Sequence, residues 1–141
     1  MHLERHFDVS CPPERAAGAV ARDETLVELF PDTRSEIVES DGNLRTVRSH
    51  YTALGQEGTA TFHFVYEEDG SIEFEKVCDG RVWSALTGCV RFEARGRGTR
   101  VHIEMDGRTK GMVPEFTIRG PLRDQIEKMA AALQDRIEQA G

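Results

Sequence analysis

The groups able to do chemistry in this 141-residue chain are few: five histidines, three cysteines, a lysine one pleat away from a cysteine, and a glycine–arginine turn. The histidines are His2, His6, His50, His63 and His102, and none opens an HExxH motif. His50 and His63 fall on the outward parity of adjacent strands, so they are expected at the surface, and neither a metal site nor a cofactor is expected. Cys11, Cys78 and Cys89 are widely spaced, with no CxxC pair. That pattern predicts reduced thiols rather than a disulfide framework, with Cys78 and Cys89 as small packing residues. Lys76 shares a strand face with Cys78, and a lysine beside a thiol lowers its pKa. The preferred reading places Lys76 near a strand end, reaching solvent. No GxSxG elbow is present. Gly96-Arg97-Gly98 has no helix start behind it and reads as a hairpin rather than a phosphate loop. Arg91, Arg95, Arg97 and Arg100 interleave with Glu93 and read as a solvated tip.

Composition narrows the classes. Lys and Arg number 18 against 25 Asp and Glu, a net charge of −7, which argues against nucleic acid as a partner. Hydrophobic residues at 38% and charged residues at 30% fit one globular domain over 1–141. No apolar run approaches the ~20 residues of an integral membrane segment. The opening MHLERHFDVS lacks the pattern of a signal peptide, so a cytoplasmic location is expected. Nothing in the sequence fixes an oligomeric state.

The elements follow from hydrophobic period. Residues 2–9 alternate as a strand. Ser10 or Cys11 before Pro12-Pro13-Glu14 predicts a capped short helix over 13–21, and Asp23 is expected to cap a second over 24–30 that stops at Pro31. Strands follow over 34–41, 44–54, 59–67, 71–78, 82–94 and 100–109, with turns at Ser40–Asn43, Gly55–Gly58, Glu67–Gly70, Asp79-Gly80 and Gly96–Thr99. The last strand has the cleanest alternation, with Val101, Ile103 and Met105 inward. From Pro121 to Gln139 the spacing of Leu122, Ile126, Met129, Leu133 and Ile137 describes one helical stripe. The apolar connector 111–120 reads as an extra helical turn broken at Gly120-Pro121 or as a loop over the sheet. The resulting class is α+β, in the order β-α-α-β-β-β-β-β-β-α. A curved antiparallel sheet wraps a long C-terminal helix, the only element long enough to cover its apolar face.

Four segments carry a family resemblance: FDVSCPPERAAGAVARDETLVELFPD, EEDGSIEFEKV, LTGCVRFEARGRGTRV and the terminal amphipathic helix. In order and spacing the chain resembles the START-like, helix-grip superfamily (SRPBCC), which includes polyketide cyclase/dehydrase-type, lipid-transport and coenzyme-Q-binding proteins. The likeness runs over residues 2–139. Val90 stands where the family often has Trp, and Gly18 where a bulky residue often points inward; both remove side-chain volume.

The resemblance implies a cavity between sheet and C-terminal helix that holds a small hydrophobic ligand. Parity then assigns its lining: Phe62, Phe64, Phe74, Leu86, Gly88, Met105, Phe116, Met129 and Leu133, with Ser49, Tyr51 and Tyr66 as polar groups at the cavity or its rim. Tyr51 is the first candidate for holding a ligand's polar end, and Met112 and Met129 are adaptable walls. Ligand entry is expected past 111–120 and the second short helix. The preferred expectation is binding or transport of a lipid, polyketide or quinone-like molecule without catalysis. One alternative is a cyclase/dehydrase using Tyr51, Ser49 or Lys76 on a carbonyl-rich substrate. The other is a protein-interaction module of the toxin-like branch, which requires an exposed apolar patch on the short helices.

Overall fold

Seven antiparallel strands in the order β1-β7-β6-β5-β4-β3-β2 form one sheet in the computed structural model, which describes residues 1–30, 33–53, 56–78 and 83–140. The elements are β1 (His2–Val9), α1 (Pro13–Val20), α2 (Asp23–Val27), β2 (Arg34–Asp41), β3 (Leu44–Ala53), β4 (Gln56–Tyr66), β5 (Ile72–Val77), β6 (Trp83–Arg95), β7 (Gly98–Thr109) and α3 (Phe116–Ala140). Strands β2 to β7 are neighbours in sequence order, and β1 closes the order by pairing with β7 from His2↔Asp106 to Val9↔Thr99. Gly42 and Gly96 hold positive φ of 57° and 59° in two hairpin tips, a region that suits glycine. The expected stop at Pro31 and the turns at Gly55 and Asp79-Gly80 lie outside the described residues.

The inward parity is the expected one. Val101, Ile103 and Met105 on β7 are buried, as are Phe62 and Phe64 on β4, Ile72 and Phe74 on β5, and Leu86 and Val90 on β6. All five apolar stripe residues of α3 are buried against them. The helix packs most closely on β1, β7 and α1. Fully burying side chains of this size is worth roughly 1.5–3 kcal/mol each, so this interior holds the helix in the sheet's grip.

The caps differ from expectation. Pro12, not Ser10 or Cys11, is the N-cap of α1, and Arg22, not Asp23, is that of α2; neither makes a side-chain cap bond. Asp23 instead accepts from Arg45 Nε on β3 at 3.2 Å, tying α2 to the sheet. Helix α3 starts at Phe116 and runs through Pro121. Bonds from Thr117 N to Pro114 O and from Ile118 N and Arg119 N to Glu115 O wind its first turn before the proline is reached. Pro121 then removes one donor near the helix start, where the loss is smallest. Gly18 is exposed, and a Cβ there would meet nothing within 4 Å, so its missing side chain takes no volume from the interior.

Candidate functional site

The interior between sheet and α3 is built around a run of aromatic rings. Phe30, from the turn after α2, stacks on Phe62 at 5.0 Å between centroids and 28°. Phe62 continues to Phe64 at 6.2 Å, and Phe64 to Phe74 at 5.5 Å. Alternation on β4 and the Phe64↔Phe74 register across β4–β5 place three of these rings on one face. Leu86, Met105, Met129 and Leu133 belong to the same buried cluster. Seven of the residues expected to line a cavity, Phe62, Phe64, Phe74, Leu86, Met105, Met129 and Leu133, lie together in this buried cluster.

Gly88 lies opposite Phe74 in the β5–β6 register, beneath that ring. Phe116 is not in the interior: it is 79% exposed at the first turn of α3, and Met112 is 93% exposed just before it. Within 111–120 Met112 and Phe116 are turned outward while Val113 and Ile118 are half-buried; the turn after β7 is fixed by Val113 N bonding to Lys110 O and by Thr109 Oγ1 donating to Val113 O.

The polar candidates separate. Ser49 is buried on β3 and its hydroxyl meets Ser35 Oγ on β2 at 2.7 Å; Ser35 in turn meets Thr33 Oγ1 at 3.2 Å. This hydroxyl chain satisfies Ser49 within the protein. Tyr51 stands at the end of β3, 37% exposed, with its ring over Gly58, its register partner on β4. Tyr66 is half-buried, its hydroxyl has no hydrogen-bond partner among the described residues, and burial first, with the Asp23 charge, pushes its pKa up to about 12. The phenol is thus neutral throughout the physiological range, and Arg45 lies over its ring at 5.5 Å.

The remaining reactive groups are accounted for by the sheet. His63 sits opposite Thr46 and its Nδ1 is 3.2 Å from Thr46 Oγ1, whereas His50 pairs with Thr59, so the two histidines are not neighbours. His2 and His6 are four residues apart, but on extended β1 that spacing spans about 13 Å rather than one helical turn. Among the described residues no group of three or more His, Cys, Asp or Glu is placed to hold a metal ion. Cys78 Sγ bonds to the Lys76 carbonyl, not to its amine. Cys89 lies on the outer sheet face beside Glu104, and burial, then that carboxylate, holds its thiol above the ordinary range, the reverse of activation. Arg91 pairs with Glu104, Arg95 with Glu93 and Arg100 with Asp8, as a solvated tip requires.

Beside the second short helix, one of the two places where entry is expected, lies a groove. Its volume is about 670 Å³, and it runs between the α2 end and α3, walled by Val27, Phe30, Ala131 and Ala132 and edged by Glu28, Lys128, Asp135 and Arg136. An ion pair from Arg136 to Glu28 at 2.6 Å links its two sides. Phe30 belongs both to this groove and to the buried ring run. The sequence signal for Phe30 was the Leu-Phe-Pro ending of the second helix; nothing in the period of α2 or α3 pairs their outer faces. Among the described residues no helix is long and apolar enough to cross a membrane.

This arrangement is the START-like helix-grip fold. Solved structures share it over nearly the whole chain. The Zhui aromatase/cyclase from Streptomyces sp. R1128 aligns with a TM-score of 0.76 at 19% identity, covering 99% of this chain and 93% of that one. A START superfamily protein from Mycobacterium smegmatis aligns at 0.77 and 19% identity, with 99% of each chain covered. A STAR-related lipid transfer protein from Xanthomonas axonopodis aligns at 0.69 and 16% identity, covering 97% of this chain and 85% of that one. No family model and no curated protein sequence matches the chain.

Proposed function

We propose that this chain binds a small hydrophobic ligand between α3 and the sheet, taken up through the groove between α2 and α3. The observation that carries the reading is the double membership of Phe30, which joins an apolar groove open to solvent to the buried rings of Phe62, Phe64 and Phe74. The groove's volume lies in the range of small-molecule sites, and its apolar walls with charged edges suit a molecule with a greasy body and one polar end. Affinity would come from apolar area removed from water, at about 25 cal/mol per Å². The likeness in fold to a lipid transfer protein and an aromatase/cyclase supports a lipid or polyketide as the ligand, with a quinone-like molecule as the further expectation from the sequence resemblance.

Binding without turnover is the preferred form of this proposal. Polarising a carbonyl and moving its protons takes two polar groups converging on the ligand. Here Ser49 is engaged by Ser35, and Tyr51 stands at the sheet's end. The reading as a protein-interaction module gains no support from the short helices. The exposed large apolar residues among those described are Val38, Tyr51, Val77, Met112 and Phe116, none of them on α1 or α2.

The test is uptake of N-phenyl-1-naphthylamine followed by fluorescence, comparing the parent chain with Ala132→Trp. The substitution fills the groove from a partly exposed helix position. Enhanced fluorescence with the parent and its loss in the variant, at unchanged circular dichroism, are expected. Equal uptake by both proteins would place the ligand elsewhere.

A further inference from the structure

The exposed apolar residues Met112 and Phe116 do not stand alone. Residues 108–123 carry four cations, Arg108, Lys110, Arg119 and Arg123, against one carboxylate, Glu115, in a chain whose net charge is −7. All four cations are exposed. Glu115 faces the Met1 amino group at 3.6 Å, which offsets its charge locally. Along α3 the positions 116, 119 and 123 are three and four apart, so Phe116, Arg119 and Arg123 share one outward stripe. Met112 precedes them on a turn that the Lys110–Val113 and Thr109–Val113 hydrogen bonds hold in place. A soluble surface gains nothing from keeping a Phe at 79% and a Met at 93% exposure; both lose free energy to water.

We infer that this end of the molecule is a docking surface for an anionic lipid bilayer, with Met112 and Phe116 entering the headgroup region and the four cations meeting the lipid charge. The pattern is that of an interfacial anchor: a short apolar wedge, basic residues on its flanks, and no length to span. Charge segregation decides the orientation. The acidic remainder of the chain is repelled by an anionic surface, but over distances beyond about 8–10 Å physiological salt screens that repulsion. The basic end, held at contact, is attracted at close range. Each cation near such a surface strengthens binding about fivefold, and the two apolar side chains add an attraction that salt does not screen. This surface is separate from the ligand groove, so vesicle binding does not depend on any ligand being bound.

Flotation with phosphatidylglycerol/phosphatidylcholine vesicles, against phosphatidylcholine alone, tests the assignment. The parent chain is expected to float with the anionic vesicles at low salt, and to float much less with the zwitterionic ones. Met112→Ser/Phe116→Ser should lower the partition by about tenfold or more, and Arg119→Glu/Arg123→Glu should abolish it. All four positions are exposed, so the thermal midpoint should stay unchanged and a folding defect is distinguishable. Absence of flotation by the parent chain overturns the proposal, as does flotation that both double variants retain. Capture of an acidic protein through the same four residues, without vesicle binding, overturns the lipid assignment in favour of a protein partner.

Discussion

The ring of Phe74 lies on the backbone of Gly88 across the β5–β6 pair, so close that a Cβ on residue 88 would stand 2.2 Å from Phe74 Cζ and 2.8 Å from the Glu104 carbonyl oxygen. Glycine is required here by the approach of a neighbouring strand and its aromatic cover. Gly88→Ala should destabilise the protein by about 1–3 kcal/mol, since overpacking at a rigid backbone is not relieved by rotamer changes alone. Pairing it with Phe74→Leu should recover part of the loss but not all, because the Glu104 carbonyl stays. Urea unfolding of the three variants reads both numbers.

Phe62 stands between Phe30 and Phe64 in the ring run. Phe62→Ala should cost about 3–5 kcal/mol from lost burial and the cavity left behind. If the rings mark the ligand's path, the same variant should take up a bulkier apolar probe than the parent. Denaturation and probe titration on one sample separate the two effects, and a destabilised variant with unchanged probe size limits would remove Phe62 from the binding site.

Tyr66 buries a hydroxyl that has no hydrogen-bond partner among the described residues. Removing an unpaired polar atom from a buried position relieves its desolvation cost. Tyr66→Phe should therefore be neutral or stabilising, by up to about 1 kcal/mol. A loss of stability in thermal unfolding would mean that the hydroxyl is held by an ordered water.

His2 Nδ1 lies 2.6 Å from Asp106 Oδ1, and that hydrogen bond, then the Asp106 charge, raises the imidazole pKa above 6.5. The sign follows from linkage: the folded state holds the proton more tightly than the unfolded one. The resulting stabilisation is complete below pH 6.5 and is lost as pH rises through the raised folded value. In Asp106→Asn the NMR titration of His2 should return toward 6.5, and the stability gap between parent and variant should narrow from pH 6 to pH 8.

The sequence made the faces legible where one element has one wet and one dry side. The β7 alternation and the 4-3-4-4 stripe of α3 both predict burial correctly, from Val101 to Ile137. Across elements the reading weakens for a physical reason. Period reports which way a side chain points, not what lies opposite it. Phe30 lies in the turn after a helix too short to show a period, so no pattern announces its stacking on Phe62. Phe116 is expected inward, yet it stands at the first turn of α3, after a hydrogen-bonded turn, and faces solvent. Gly18 was read through a family position, but it lies on the wet side of α1. The groove between α2 and α3 is walled by residues outside the buried stripe of α3, a pairing that amphipathic patterns cannot announce.

The pairing of β1 with β7 has a consequence for how the protein is made. Strand β1 finds its sheet neighbour only after β7 has been translated, and α3, which packs on β1, comes later still. Hairpins β2 to β7 can zip up in order as they emerge, while the N-terminal strand waits. Pairing across so long a stretch of chain is slow to form, and truncation before β7 would leave β1 without its sheet partner.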